Sequence, residues 1–247
     1  MSFFGSAQRA MRRFGLEVRK NGPSARDDLR LALFLRQHRI DLVFDIGANR
    51  GQFARQLFAN GYSGRIVSFE PLPAALTLLE NAARPFGERW VVAPRVALCD
   101  KTGTVEFNIN QSDATSSLLT PSGAAVERIP GIRTQRAIKV PSQRLDEFID
   151  YIRPADRLFI KIDVQGGEGL VLAGAGCALD QAVGIVVELS LTSLYADQPI
   201  AFDILDDLRA RGFEVYDIAT AYRDPNDFRL HQIDVVMFHR DRLALAR

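Results

Sequence analysis

Cysteine is nearly absent. The 247-residue chain carries two, Cys99 and Cys177, far apart and outside any CxxC or Cys/His spacing. That excludes a disulfide framework and a zinc site, and predicts a reducing, cytoplasmic setting. Net charge is equally scarce: 31 Lys and Arg against 30 Asp and Glu leave +1, without the basic stripe that a nucleic-acid partner needs. No apolar run approaches the roughly 20 residues that span a bilayer, and the N-terminus lacks the apolar core of a signal peptide. A soluble protein is expected. Internal repeats and a linker between domains are missing as well.

What the chain does have is 47% hydrophobic residues, enough to bury the core of one large α/β domain. Residues 1–39 read as an N-terminal helical extension and 40–247 as the main domain. Within the first twenty residues Phe3, Phe4, Met11, Phe14 and Leu16 alternate with Arg9, Arg12, Arg13, Arg19 and Lys20. This pattern fits either a docked terminal helix or an amphipathic basic helix in peripheral contact with a membrane. A homo-oligomer is left open.

Ser24 followed by Asp27 predicts a helix start, with Leu29, Leu33 and Leu35 carrying the helix to about His38. From Leu42 the chain alternates strand-like and helix-like segments, which argues a parallel sheet. Trp90 to Leu98 reads as a third strand, and Thr102 with Gly103 as a hairpin turn from it into an added strand. Residues 111–135 are rich in Ser, Thr, Gly and Pro and read as a long inserted loop, a common form for binding loops. The last two strands, FEVYDIA and IDVVMFHR, are too close in sequence for a parallel crossover, so the final strand is expected to be antiparallel.

The stretch VFDIGANRGQF, residues 43–53, ends a strand in a glycine loop. A dinucleotide loop would read GxGxxG and a P-loop would end in GK[ST]. Here Asp45-Ile-Gly47-Ala-Asn-Arg-Gly51 is neither. Two glycines allow close backbone approach, and Glu70, at the end of the next strand, is placed to accept ribose hydroxyls. A helix start favours a carboxylate and Asp45 an ammonium. Together they fit an adenosyl group without a pyrophosphate, as in S-adenosyl-L-methionine. Singly, Gly47 could serve only a turn and Glu70 only a helix cap.

The ordered blocks VFDIGANRGQFA, IVSFEPLPAALTLLENA, VALCDKTGTVEF, DATSSLL, VPSQRLDEFI, FIKIDVQGGEGLVLAGA and GIVVELS resemble the FkbM-type methyltransferases over roughly residues 40 to 240. The resemblance implies a class I methyltransferase fold, a Rossmann-like three-layer sandwich with a mostly parallel seven-stranded sheet. It also implies S-adenosyl-L-methionine as cofactor and O-methylation of a hydroxyl on a sugar, glycolipid, polysaccharide or polyketide-like small molecule. Carried onto this chain, Asp45, Gly47, Ala48, Asn49 and Gly51 form the donor loop and Glu70 with Pro71 the ribose end. Val96, Ala97 and Asp100 fall near the adenine. One block departs from the family pattern IDVEGAE: Gln165 replaces its second acid, a glutamate, which removes a carboxylate while Asp163 and Glu168 remain.

A hydroxyl acceptor needs a base. Asp163 ends the fourth main strand on the ligand edge, Lys161 shares its face, Glu188 ends the fifth strand, and His231 precedes the antiparallel strand whose start lies at the same edge. These four are the catalytic candidates; a structural Lys161–Asp163 pair is the plain alternative. Ser116, Ser117 and Tyr195 lie in loops within reach of donor or acceptor. The spacing of Asp163, Glu168 and Glu188 specifies no metal, and none is assigned. The rival functions are a nicotinamide-dependent oxidoreductase, disfavoured by the missing GxGxxG, and a cofactor-binding scaffold without turnover.

Overall fold

The computed structural model describes residues 11–16 and 21–243. The amphipathic segment expected over residues 1–20 lies outside the described residues except for 11–16, where Met11, Phe14 and Leu16 are exposed. The chain then runs α1 (Asp27–Gln37), β1 (Leu42–Ile46), α2 (Gln52–Ala59), β2 (Arg65–Phe69), α3 (Pro73–Ala83), β3 (Trp90–Val92), β4 (Ala97–Leu98) and β5 (Gly103–Asn110). It continues through α4 (Gly123–Arg128), β6 (Thr134–Gln143), β7 (Leu158–Ile162), α5 (Glu168–Ala173), α6 (Gly176–Leu179), β8 (Ala182–Ser190), α7 (Ala201–Ala210), β9 (Phe213–Arg223) and β10 (Leu230–His239). No described helix is long and apolar enough to cross a membrane.

Seven strands form one sheet in the order β3-β2-β1-β7-β8-β10-β9. All neighbours are parallel except β10, which runs antiparallel to both β8 and β9. This is the expected mostly parallel class I methyltransferase arrangement. Strands β1 and β7 are buried along their whole length, as strands covered on both faces must be. On one face Phe44, Ile46, Ile160, Ile162 and Val187 pack with Val171, Leu172, Ile204 and Leu208 from α5 and α7. On the other, Val43, Ile66, Phe159 and Phe238 pack with Leu35, Ala54, Leu57 and Leu79 from α1, α2 and α3.

Local expectations held in part. Pro73 opens α3 as a first-turn proline, where its missing N–H costs nothing. At α1 the N-cap is Arg26 without a side-chain cap, so Ser24 does not start that helix; Asp27 and Asp28 in its first turn favour the macrodipole instead. The added hairpin also differs. Strand β3 stops at Val92, and β5 pairs antiparallel with β6 from Gly103↔Ser142 to Asn110↔Thr134. With β4 beside β6 they make a second, three-stranded sheet. The hairpin's connection is thus the inserted stretch after Asn110, which carries the short helix α4. A long-range partner won over the nearest turn because β5 and β6 bury Phe107 and Val140 together with Leu72 and Ala97.

Candidate active site

The order of the sheet reverses between β1 and β7, since β2 and β3 lie to one side of β1 and the chain returns to its other side. A crevice opens at such a point beyond the carboxyl ends of the strands. A cavity of about 700 Å³ lies there, its wall built by the β1 loop, Glu70, Val96 to Leu98, the insertion, the ends of β7 and β8, the middle of β9 and β10, and the start of α1.

The β1 loop is held from below. Asp45 is fully buried. It accepts a hydrogen bond from Ser68 Oγ at 3.1 Å, and Ser68 Oγ in turn accepts from Trp90 Nε1 at 2.9 Å. Lys161 Nζ stands 3.2 Å from Asp45 and 3.6 Å from Asp163 Oδ2. It also donates to the carbonyls of Ile46 at 3.2 Å and Gly47 at 2.9 Å. Burial alone would lower the Lys161 pKa, but the charges of Asp163 and Asp45 outweigh it and raise it. That suits a fixed cation, not a proton acceptor.

The loop glycines serve the protein's own packing. Gly47 has φ +76°, and a Cβ there would lie 1.8 Å from the Asp163 carbonyl oxygen; one at Gly51, φ +77°, would lie 2.6 Å from the Trp90 ring. Both bring β1 and α2 against their neighbours, where a side chain would not fit. Ligand-facing polarity comes from Asn49, at φ +49°. Its buried Oδ1 has no partner among the described residues, and the residue lines the cavity. An orphaned buried oxygen of this kind is open to a donor from water or a ligand.

Glu70 ties the loop to the next strand. Its Oε2 accepts from Asn49 N and its Oε1 from Leu72 N, each at 2.8 Å. So Glu70 does cap the turn after Pro71, and it also lines the cavity. Burial raises its pKa to about 7, against the pull of the two backbone N–H groups. Val96, Ala97, Leu98, Phe107 and Leu118 add an apolar wall suited to a purine face. Asp100 is not on that wall but lines a separate small recess with Cys99 and Lys101, because β4 turns into the second sheet just before it. The insertion reaches the donor loop through Arg50 and Asp113, 3.2 Å apart, and contributes Ser116 to the wall. Ser117 and Tyr195 do not line the cavity; Tyr195 braces the insertion by donating its hydroxyl to Thr115 O at 2.8 Å.

Beyond the donor loop, one row of side chains crosses the sheet edge. Asp234 pairs with Glu188 across β10 and β8. Glu188 is two residues beyond Val186, the partner of Lys161, so it lies level with Asp163. With strands about 4.8 Å apart, Asp163, Glu188 and Asp234 form steps leading away from Gly47. Gln165 Nε2 donates to Asp163 Oδ1 at 2.7 Å and to Glu188 Oε2 at 2.9 Å, and Gln232 Nε2 donates to that same Glu188 oxygen at 2.7 Å. Burial and then the Asp163 charge raise the Asp234 pKa to about 6, and the same causes push Glu188 well above the usual carboxylate range.

His231 stands at the expected edge but on the wrong face. In an extended strand neighbours point to opposite sides, and the β10 residues on the cavity are Asp234 and Val236. His231 bonds instead to Thr192 Oγ1 at 2.9 Å and sits beside Asp224 and Asp227. Asp234 and Gln232 were missed in the sequence; a lone acid inside the apolar run IDVVMF was the available signal. Glu168, buried, accepts from Val164 N at 3.1 Å and Gly166 N at 3.0 Å, and so shapes the loop that carries Gln165. Its pKa is raised to about 7, by burial first.

Glu70 and Glu168 give the ligand-free protein a pH signature. A carboxyl whose folded pKa exceeds its unfolded value binds more protons in the fold, so its stabilisation is full below about 4.5 and lost as pH rises through about 7. By the linkage relation each contributes roughly 3 kcal/mol at most. Urea unfolding is expected to show a more stable protein at about pH 5.5 than at about pH 8, and the difference should shrink in Glu168→Gln. His38, its pKa lowered by burial, pulls the other way, and the variant separates the two. An undiminished difference in Glu168→Gln would count against this origin.

A family model described as the Methyltransferase FkbM domain matches residues 45–215. The chain is 26% identical over 207 residues to the 2-O-methyltransferase NoeI of Sinorhizobium fredii (strain NBRC 101917 / NGR234), covering 81% of this chain and 84% of that protein. Among solved structures, an O-methyltransferase from Bacillus cereus in complex with SAH is 12% identical, with 86% of this chain and 80% of that one covered and a TM-score of 0.48. A rRNA methylase from Streptococcus thermophilus is 12% identical, with 90% and 99% covered and a TM-score of 0.47.

Proposed function

The chain belongs to the FkbM methyltransferase family, an S-adenosyl-L-methionine-dependent O-methyltransferase by that membership, and we propose that its acceptor is an uncharged hydroxylated molecule, a sugar or a glycan, glycolipid or polyketide-like compound. The observation that carries the acceptor reading is the row Asp163, Glu188 and Asp234 on the cavity wall. Carboxylates accept hydrogen bonds from vicinal hydroxyls and repel anions. Lys161 offsets only part of their charge, because it is shared between Asp163 and the buried Asp45. The name of the 26%-identical relative, a 2-O-methyltransferase, supports attack by a hydroxyl oxygen.

The donor fits the residues present. Glu70 would hold the ribose, Asn49 a polar group of the amino-acid end, and Val96 and Ala97 the adenine, with Asp45 acting through Lys161 and the loop. Bound there, S-adenosyl-L-methionine supplies an electrophilic methyl group. The chain's own contribution is to align an acceptor oxygen and exclude water.

Two measurements test this reading. S-adenosylhomocysteine should raise the melting temperature and NAD should not. Labelled methyl transfer from S-adenosyl-L-methionine should favour neutral methyl glycosides over uronates and sugar phosphates by on the order of tenfold or more. Preference for an anionic acceptor, or stabilisation by NAD alone, would overturn it.

A further inference from the structure

The row of acids contains a device that the methyl-transfer reading does not by itself assign, and whose catalytic part rests on that reading. We propose that Gln165 and Gln232 form an amide clamp on Glu188 that leaves one oxygen, Oε1, as the proton acceptor for the substrate hydroxyl, while Asp163 is held out of that role.

The geometry separates the two carboxylates. Asp163 accepts a hydrogen bond at Oδ1 from Gln165 at 2.7 Å, and its Oδ2 faces the Lys161 ammonium in an ion pair at 3.6 Å. Glu188 has two amide donors on Oε2, from Gln165 at 2.9 Å and Gln232 at 2.7 Å. Its Oε1 receives no hydrogen bond from the described residues, and the residue lines the cavity. A proton acceptor needs a free oxygen in a fixed place; Glu188 Oε1 has neither a hydrogen bond nor an ion pair among the described residues, whereas the corresponding oxygen of Asp163 is paired with the Lys161 cation.

An amide does here what a carboxylate could not. Acids packed at hydrogen-bond distance cannot all ionise, so one must hold a proton. The amide of Gln165 offers two hydrogens, one for each neighbour, so neither carboxylate has to supply the proton of the bridge. The placement is built in. Gln165 sits at φ +57°, a left-handed conformation that costs a non-glycine residue energy and persists only when its surroundings enforce it. Glu168 enforces it by gripping the N–H groups on either side, those of Val164 and Gly166. Gly166, at φ +97°, lies where a Cβ would come 2.6 Å from the Tyr195 ring. On the other side Gln232 is 7% exposed and reaches Glu188 from β10.

The step balances without a further reagent. The acceptor hydroxyl oxygen forms the new C–O bond, the sulfur–methyl bond breaks with its electron pair going to sulfur, and the hydroxyl proton passes to Glu188 Oε1. The groups facing Glu188 are Asp163 and Lys161 from β7 and its end, Glu168 from α5, Asp234 from β10, and Tyr195 from the loop after β8. Burial and the three acids disfavour its ionised form, while Lys161 favours it. The two amides favour it too, as donors to a charged acceptor do. Removing one should therefore raise the pH at which Glu188 loses its proton.

The test follows the Glu188 carboxyl carbon by NMR in glutamate-labelled protein with S-adenosylhomocysteine bound, in parallel with the pH profile of kcat/KM for methyl transfer to methyl glycosides. Gln165→Leu and Gln232→Leu are each expected to raise the Glu188 midpoint by about one pH unit. The acid limb of the rate profile should move up by the same amount, with kcat reduced more than KM is changed. An unmoved midpoint in both variants overturns the clamp. A midpoint that moves while the acid limb stays in place overturns Glu188 as the proton acceptor. A midpoint that moves with no transfer to any glycoside supports the clamp and overturns the acceptor reading above. If Gln165→Leu does not fold, Gln232→Leu reports on the same oxygen.

Discussion

Lys161→Met is expected to cost the fold roughly 3–5 kcal/mol, the range found when one partner of a buried ion pair is removed. Asp45 is fully buried and Lys161 nearly so, and methionine would fill the space without the charge. The ammonium also donates to the carbonyls of Ile46 and Gly47, so two acceptors at the base of the donor loop would lose their partner. Urea denaturation is the direct measurement. Part of the loss should return on acidification, because an uncompensated buried carboxylate favours the folded state that takes up a proton. It should also return in the double variant Lys161→Met with Asp45→Asn, which can still accept from Ser68. A loss below about 1 kcal/mol would mean that water reaches Asp45 and screens it, as at an exposed pair.

Glu70→Ala should weaken S-adenosylhomocysteine binding by about 100-fold to 1000-fold. One carboxylate holds both Asn49 N and Leu72 N, and removing it leaves two N–H groups unpaired and takes away the acceptor proposed for the ribose. Hydrogen bonds to a charged group contribute about 1.5–3 kcal/mol each, and every 1.4 kcal/mol is about tenfold in affinity. Glu70→Gln should fall between, since an amide accepts through one oxygen only. The ionised form is the one that accepts from two hydroxyls, and its pKa in the free protein is raised to about 7, by burial first. Donor affinity should therefore fall as pH drops below about 7 in the native protein, and this dependence should be absent in Glu70→Gln. Calorimetric titration across that range decides it; a loss under threefold in Glu70→Ala would remove Glu70 from the ribose site.

Much of the fold was legible because its signals are local. Apolar runs such as LVFDI and LFIKI need cover on both faces, and the short separation of the last two strands forced an antiparallel ending. The partner of β5 was not legible. Thr102 and Gly103 mark a turn, but which strand the turn serves depends on the shared burial of Phe107 and Val140, whose strands are separated by the insertion. The glycine loop was legible as the turn after β1 at the cavity, but not in its cause: Gly47 and Gly51 make room for Asp163 and Trp90, which no spacing rule reveals. His231 shows the sharpest limit. Its edge of the sheet followed from topology, yet the face followed from a one-residue phase, and Asp234 on that strand lines the cavity instead.

By itself the sequence determined the doubly wound sheet, the glycine turn after β1 and the family to which the chain belongs. All of these depend on periodicity, turn chemistry and the order of elements along the chain. The tertiary structure decided which polar groups are spent and which are free. Lys161 and Asp45 neutralise each other beneath the loop, Glu168 shapes a backbone turn, and two amides from distant segments converge on one oxygen of Glu188. Chemical availability is set by the donors and charges within a few ångströms of an atom, and the chain brings those neighbours together only when it folds.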